Sequence, residues 1–91
     1  MTFALVIEPQ AIEDIERHKK SGNKSIIHKI NSLLVELMET PETGTGKPEK
    51  LKHDFSGRLS RRINHKHRLV YSIDNDTVCV ISAWGHYDSY N

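Results

Sequence analysis

The stretch RRINHKHRLVY, Arg61 to Tyr71, packs three arginines, one lysine and two histidines into eleven residues. A carboxylate precedes it at Glu49, and an imidazole follows at His86 with Tyr87 beside it. Carboxylate, imidazole and guanidinium are together sufficient to cut RNA. RNA carries its own nucleophile, the 2′-hydroxyl beside each phosphodiester. Cleavage needs a base to take that proton and an acid to protonate the departing 5′-oxygen. It also needs cations to hold the charge that builds on the phosphoryl oxygens, and a guanidinium fork meets such oxygens two at a time. No metal or cofactor is required for that chemistry. Sequence alone does not bring Glu49, the arginines and His86 into one site.

The charge distribution favours a polyanionic partner. From Lys47 to Arg68 there are eight cations and two anions, a balance of +6. The rest of the chain holds five cations and ten anions, a balance of −5, so a net charge of only +1 hides a dipolar molecule. Ninety-one residues with 36% apolar side chains suit one small domain over 1–91. No run of eighteen apolar residues could span a bilayer, and the opening MTFALVIEP lacks the apolar length of a signal peptide. A lone cysteine, Cys79, allows no internal disulfide, so a cytoplasmic location is expected.

The elements that must position these groups are legible in outline. Phe3–Ile7 reads as a strand stopped by Pro9. Pro9 to Ser21 reads as an amphipathic helix with Pro at its start and Gly22 at its end. Asn23 is a natural N-cap for a second helix. Its apolar positions are Ile26, Ile27, Ile30, Leu33, Leu34, Leu37 and Met38, and Pro41 closes it. Pro41–Lys50 reads as a loop. Strands are expected at Leu59–Ile63, His67–Ile73 and Thr77–Trp84, the last two joined by the turn Asp74-Asn75-Asp76. The order β-α-α-β-β-β predicts an α+β domain, an antiparallel sheet with two helices on one face.

Strand parity assigns the cations to a side of that sheet. Leu69, Tyr71 and Ile73 should face the helices, leaving Arg68, Val70 and Ser72 on the uncovered side. Leu59 and Ile63 likewise leave Ser60 and Arg62 opposite, while Arg61 has core parity and is expected near an edge. Arg62 and Arg68 then share a face and repel unless an anion joins them. Other constellations carry less. His65 and His67 have no third metal ligand near them in sequence. His18 and His28 are expected at helix surfaces, and Cys79 as a small buried residue. Ser56-Gly57 lacks the nucleophile-elbow pattern, and GTGKPE lacks P-loop spacing.

The stretches TPETGTGKPEKLKH, SGRLSRRI, HRLVYSI and the late HY, in that order and spacing, resemble the YoeB branch of the RelE superfamily. These are bacterial toxins that cleave mRNA on the ribosome. The resemblance implies a RelE-like fold and metal-independent transesterification in the ribosomal A site. It implies Glu49 as general base, Arg68 as transition-state stabiliser with Arg62 as companion, His86 as general acid and Tyr87 as a stacking group. Lys52 matches a phosphate-binding position. With it, Lys47, Lys50, His53, Arg58, Arg61 and Lys66 are the expected contacts to RNA and ribosome. The resemblance also implies a cognate antitoxin of the YefM/Phd type, whose tail folds over the basic face, and pairing of the toxin with itself. Two departures stand out: Asp88-Ser89-Tyr90-Asn91 extend beyond the tyrosine at which relatives commonly end, and His18 and Lys19 replace aromatics of the first helix. Two other functions remain open on the same fold: a gyrase poison that acts by binding, and a ribosome-binding blocker that does not cut.

Overall fold

A computed structural model describes residues 2–46, 48–51 and 57–85 of the chain. Strand β1 (Ala4–Ile7) leads into helices α1 (Pro9–Lys20) and α2 (Lys24–Glu39). Strands β2 (Glu49–Lys50), β3 (Arg58–Arg62), β4 (Arg68–Asp74) and β5 (Thr77–Ser82) follow. Pro9 occupies the first turn of α1, where a missing N–H costs nothing. Asn23 caps α2 as expected, its side-chain oxygen accepting the Ile26 N–H at 3.2 Å. Ile26, Ile30, Leu33 and Leu37 line one side of α2 and are buried. They pack on Leu59, Leu69, Tyr71, Val78 and Val80 from the sheet, forming a core driven by removal of apolar surface from water.

The strand order is β1-β5-β4-β3-β2. The expected α+β arrangement stands, with two differences. β2 is an extra two-residue strand inside the stretch read as loop, paired with β3 through Glu49↔Ser60 and Lys50↔Leu59. Pattern cannot find a strand so short. The sheet is also not antiparallel throughout, because β1 lies parallel to β5. Two helices carry the chain away from β1, and the β3–β4–β5 meander returns β5 beside it in the same direction.

Opposed residues on neighbouring strands share a face, so the β3–β4 register decides what meets what. Leu59 opposes Tyr71 and Arg61 opposes Leu69 on the helix side; Ser60 opposes Val70 and Arg62 opposes Arg68 on the other. Between β4 and β5 the register slips: Tyr71 opposes Val80, yet Val70 opposes Ser82. Ile81 is therefore an extra residue, a bulge that turns Ser82 to the face of Val70 and Ala83 into the core. β5 ends at Ser82, two residues sooner than expected. The turn before it is tight, with Asn75 in the left-handed region at φ 55°. Cys79 is half-buried rather than buried, opposite Ser72. Among the described residues no helix is long and apolar enough to cross a membrane.

Candidate active site

Strands β2, β3 and β4 bring three of the expected site residues to one side of the sheet. Glu49 opposes Ser60 across β2–β3, and Arg62 opposes Arg68 across β3–β4. The parity expectation for Arg62 and Arg68 therefore holds. The face itself differs from the expected open surface: Arg68 and Val70 are almost fully buried. A buried guanidinium needs partners, since its desolvation costs several kcal/mol. Arg68 Nη1 donates to Ser60 Oγ at 3.4 Å and lies 3.5 Å from Glu49 Oε2. Glu49 stays half-exposed at the rim, and Arg62 is exposed. The site thus has a buried cation as its floor, a carboxylate at one side and a second cation above. Two arginines against one carboxylate leave a net positive charge on this face, with Arg62 the exposed member, which favours an anion.

Arg61 requires a correction. It was expected among the RNA contacts, but its side chain is fully buried on the helix side. Nε donates to Tyr71 Oη at 3.2 Å, and Nη1 to Glu36 Oε1 at 3.2 Å. Nη2 donates to the carbonyls of Thr40 and Thr43, and Tyr71 Oη in turn donates to Pro41 O at 2.6 Å. Every donor group of Arg61 is thus engaged with its own chain, leaving nothing to offer a phosphate. Instead it ties the 40–46 loop to β3, and the Arg62 N–H closes that loop on Gly46 O at 2.7 Å. This loop precedes β2, so Arg61 helps determine where Glu49 stands. Hydrogen bonds from Thr45 and the charge of Arg61 hold the Glu36 carboxyl below the usual carboxylate range.

Histidine placement also departs from expectation. His18 is buried, not surface-exposed, while His28 is exposed. His67 is half-buried against His18 and Trp84, with ring centroids at 4.7 and 4.4 Å. Arg17 covers the Trp84 ring, its guanidinium carbon 3.8 Å from the centroid. Among the described residues no three His, Cys, Asp or Glu side chains gather into a metal-binding group. Lys50, His65 and Lys66 are exposed and Arg58 half-buried. Lys47, Lys52, His53, His86 and Tyr87, together with the tail from Asp88, lie outside the described residues. Asp14 and Glu36 were given no role from the sequence, and the burial of His18 and His67 against Trp84 was not legible there. A charged residue at an inward helix position, as at Asp14, was the one signal available.

Two helices on a five-stranded, mostly antiparallel sheet, with Glu49, Arg62 and Arg68 on the far face, define a RelE-like toxin fold. The crystal structure of YafQ from E. coli shares it at TM-score 0.81 with 13% identity, a likeness of fold alone. The sequence comparison goes further: residues 7–87 match the family "YoeB-like toxin of bacterial type II toxin-antitoxin system", and the chain belongs to that family. Toxin YoeB of Escherichia coli K12 is 46% identical over 65 residues, covering 71% of this chain and 77% of that protein. Toxin RelK of Mycobacterium tuberculosis is 39% identical over 80 residues, 88% of this chain and 93% of its own. Among solved structures, the YoeB dimer from Staphylococcus aureus superimposes at TM-score 0.81 with 40% identity, covering 96% of this chain and all of that one. A YoeB-YefM complex from the same organism gives 0.79 and 41%, with the same coverage.

Proposed function

We propose that this type II toxin is a metal-independent endoribonuclease that cuts mRNA in the ribosomal A site and so stops translation. The observation that carries the reading is the Glu49–Arg68 pair, 3.5 Å apart, with Arg62 on the same face. Glu49, at the exposed rim, takes the 2′-hydroxyl proton. Arg68, held beside Ser60 and Glu49, supplies the positive charge that stabilises the phosphoryl oxygens in the transition state. Arg62 adds a second cation to the same phosphate. His86, next in sequence after Gly85, protonates the leaving 5′-oxygen, and Tyr87 stacks on a base. The products are a 5′-hydroxyl and a 3′ end bearing a cyclic or opened phosphate. Lys47, Lys50, Lys52, His53, Arg58 and Lys66 contact RNA and ribosome. The ribosome holds the phosphodiester in line with its 2′-oxygen, a geometry free RNA rarely adopts. An acidic segment of a YefM-like antitoxin covers the basic face, in keeping with the complex formed by the S. aureus relative. Self-pairing follows the dimer of that relative.

The test is cleavage of 5′-labelled mRNA on programmed ribosomes. Glu49→Gln and Arg68→Lys should each lower kcat by about 10²–10³-fold, with ribosome binding kept. Growth arrest with intact mRNA in the wild type would defeat the reading and favour a binding-only toxin.

A further inference from the structure

In the segment Ala83–Gly85, between the end of β5 and His86, Ala83 and Gly85 are held from two directions by hydrogen bonds to other described residues. Asp14 Oδ2 accepts the Ala83 N–H at 2.9 Å, and Gln10 steadies that carboxylate at 2.9 Å. His18 Nε2 lies 2.8 Å from Ala83 O, a contact in which the nitrogen must donate. The Gly85 N–H donates to His67 Nδ1 at 3.0 Å, and Gly85 O accepts the Arg68 N–H at 2.8 Å. Asp14 and His18 are both buried. Gly85 is thus gripped by two consecutive residues of the chain, one of which is the proposed transition-state arginine.

We propose that His67 is a positioning residue for the cleavage, acting through Gly85 to hold the segment from which the chain continues into His86, and that it does so only with Nδ1 unprotonated. This rests on His86 being the general acid. The two histidines of the clasp differ in kind. His18 donates through Nε2, a bond that survives protonation. His67 accepts at Nδ1, and a proton there sets one donor against another. The groups facing His67 are Asp14, Arg17 and His18 from α1 and Lys66 from the turn before β4; all but Asp14 disfavour its protonation. Burial foremost, then these charges, lowers its pKa from the ordinary histidine value, so the accepting form prevails at neutral pH.

The experiment compares His67→Leu, His67→Asn and His86→Ala in the full chain. His67→Leu removes the acceptor; His67→Asn places Oδ1 near the former Nδ1 and cannot titrate. On programmed ribosomes His67→Leu should lose tenfold or more in kcat with KM unchanged, since small misplacement of a catalytic group is costly, and His67→Asn should regain most of it. Loss in both variants alike, or kcat within twofold of wild type in His67→Leu while His86→Ala is inactive, overturns the proposal and leaves the functional reading intact. Full activity of His86→Ala would instead sink the general-acid assignment. Because His67→Leu could fold poorly, the wild type supplies a second measurement. The Gly85 amide proton, followed by NMR, should move upfield on acidification with the midpoint of the His67 ring. A Gly85 amide indifferent to that titration overturns the proposal without any variant.

Discussion

Arg61→Met should destabilise the protein by about 1–3 kcal/mol, the cost of stranding its buried polar partners, because Glu36, 30% exposed, can turn to water once its cation is gone. The guanidinium is fully buried and serves Tyr71, Glu36 and the carbonyls of Thr40 and Thr43. Methionine fills the stem but leaves Tyr71 Oη without its donor and Glu36 without its cation. The threonine carbonyls belong to exposed residues and can turn to water, so they add little. The loss is a sizeable share of the roughly 5–15 kcal/mol that holds a domain together, and Tm should fall by at least about 4 °C. Urea unfolding followed by circular dichroism measures it. A cycle with Glu36→Gln should show a coupling above about 0.5 kcal/mol. The Glu36 carboxyl is lowered in the fold, so its stabilisation is present above the unfolded carboxylate pKa, about 4.3, and fades as pH falls through the lower folded value. Arg61→Met should make stability only partly less steep over that acid window, because the Thr45 hydrogen bonds, the larger cause of the shift, remain. Ribosome affinity should keep the same slope against log salt, whereas loss of a phosphate contact would reduce that slope by about 1. A stability loss under about 1 kcal/mol, or a reduced salt slope in the folded variant, refutes this account of Arg61.

Tyr71→Phe should cost about 1–3 kcal/mol, because it strands Pro41 O and Arg61 Nε together; equal unfolding midpoints would contradict this. Burial raises the Tyr71 pKa, so its ultraviolet ionisation should begin only above the ordinary value near 10. The same shift makes its contribution to stability complete below that value and lost as pH rises through the folded one. Gly46→Ala should be destabilising, since φ is +84° and a Cβ would lie 2.9 Å from Arg62 O; a denaturation midpoint at or above wild type would show that the loop can relax. Asn23→Ala should cost about 0.5–2 kcal/mol through loss of the α2 cap, read from the same curves.

The helices and main strands were readable because their signals are local. The spacing of Ile26, Ile30, Leu33 and Leu37, the cap at Asn23 and the alternation of Leu69, Tyr71 and Ile73 depend on neighbours a few residues away. The same alternation put Arg62 and Arg68 on one face before any fold was known, and the resemblance named Glu49 beside them. What local pattern could not supply was anything decided by register or by burial across the sheet. The parallel pairing of β1 with β5, the bulge at Ile81 and the two-residue β2 depend on partners distant in sequence. Arg61 and Arg62 are adjacent and identical in type, yet one is spent inside the protein and the other faces solvent. His18 and Gly85 are separated by most of the chain, and only folding makes them part of one clasp with His67. The chain itself determined which chemical groups were present and which side of each strand they took. Tertiary structure decided which of them water and a phosphate can reach, because desolvation and hydrogen bonding depend on the whole surroundings of a side chain and not on its place in the sequence.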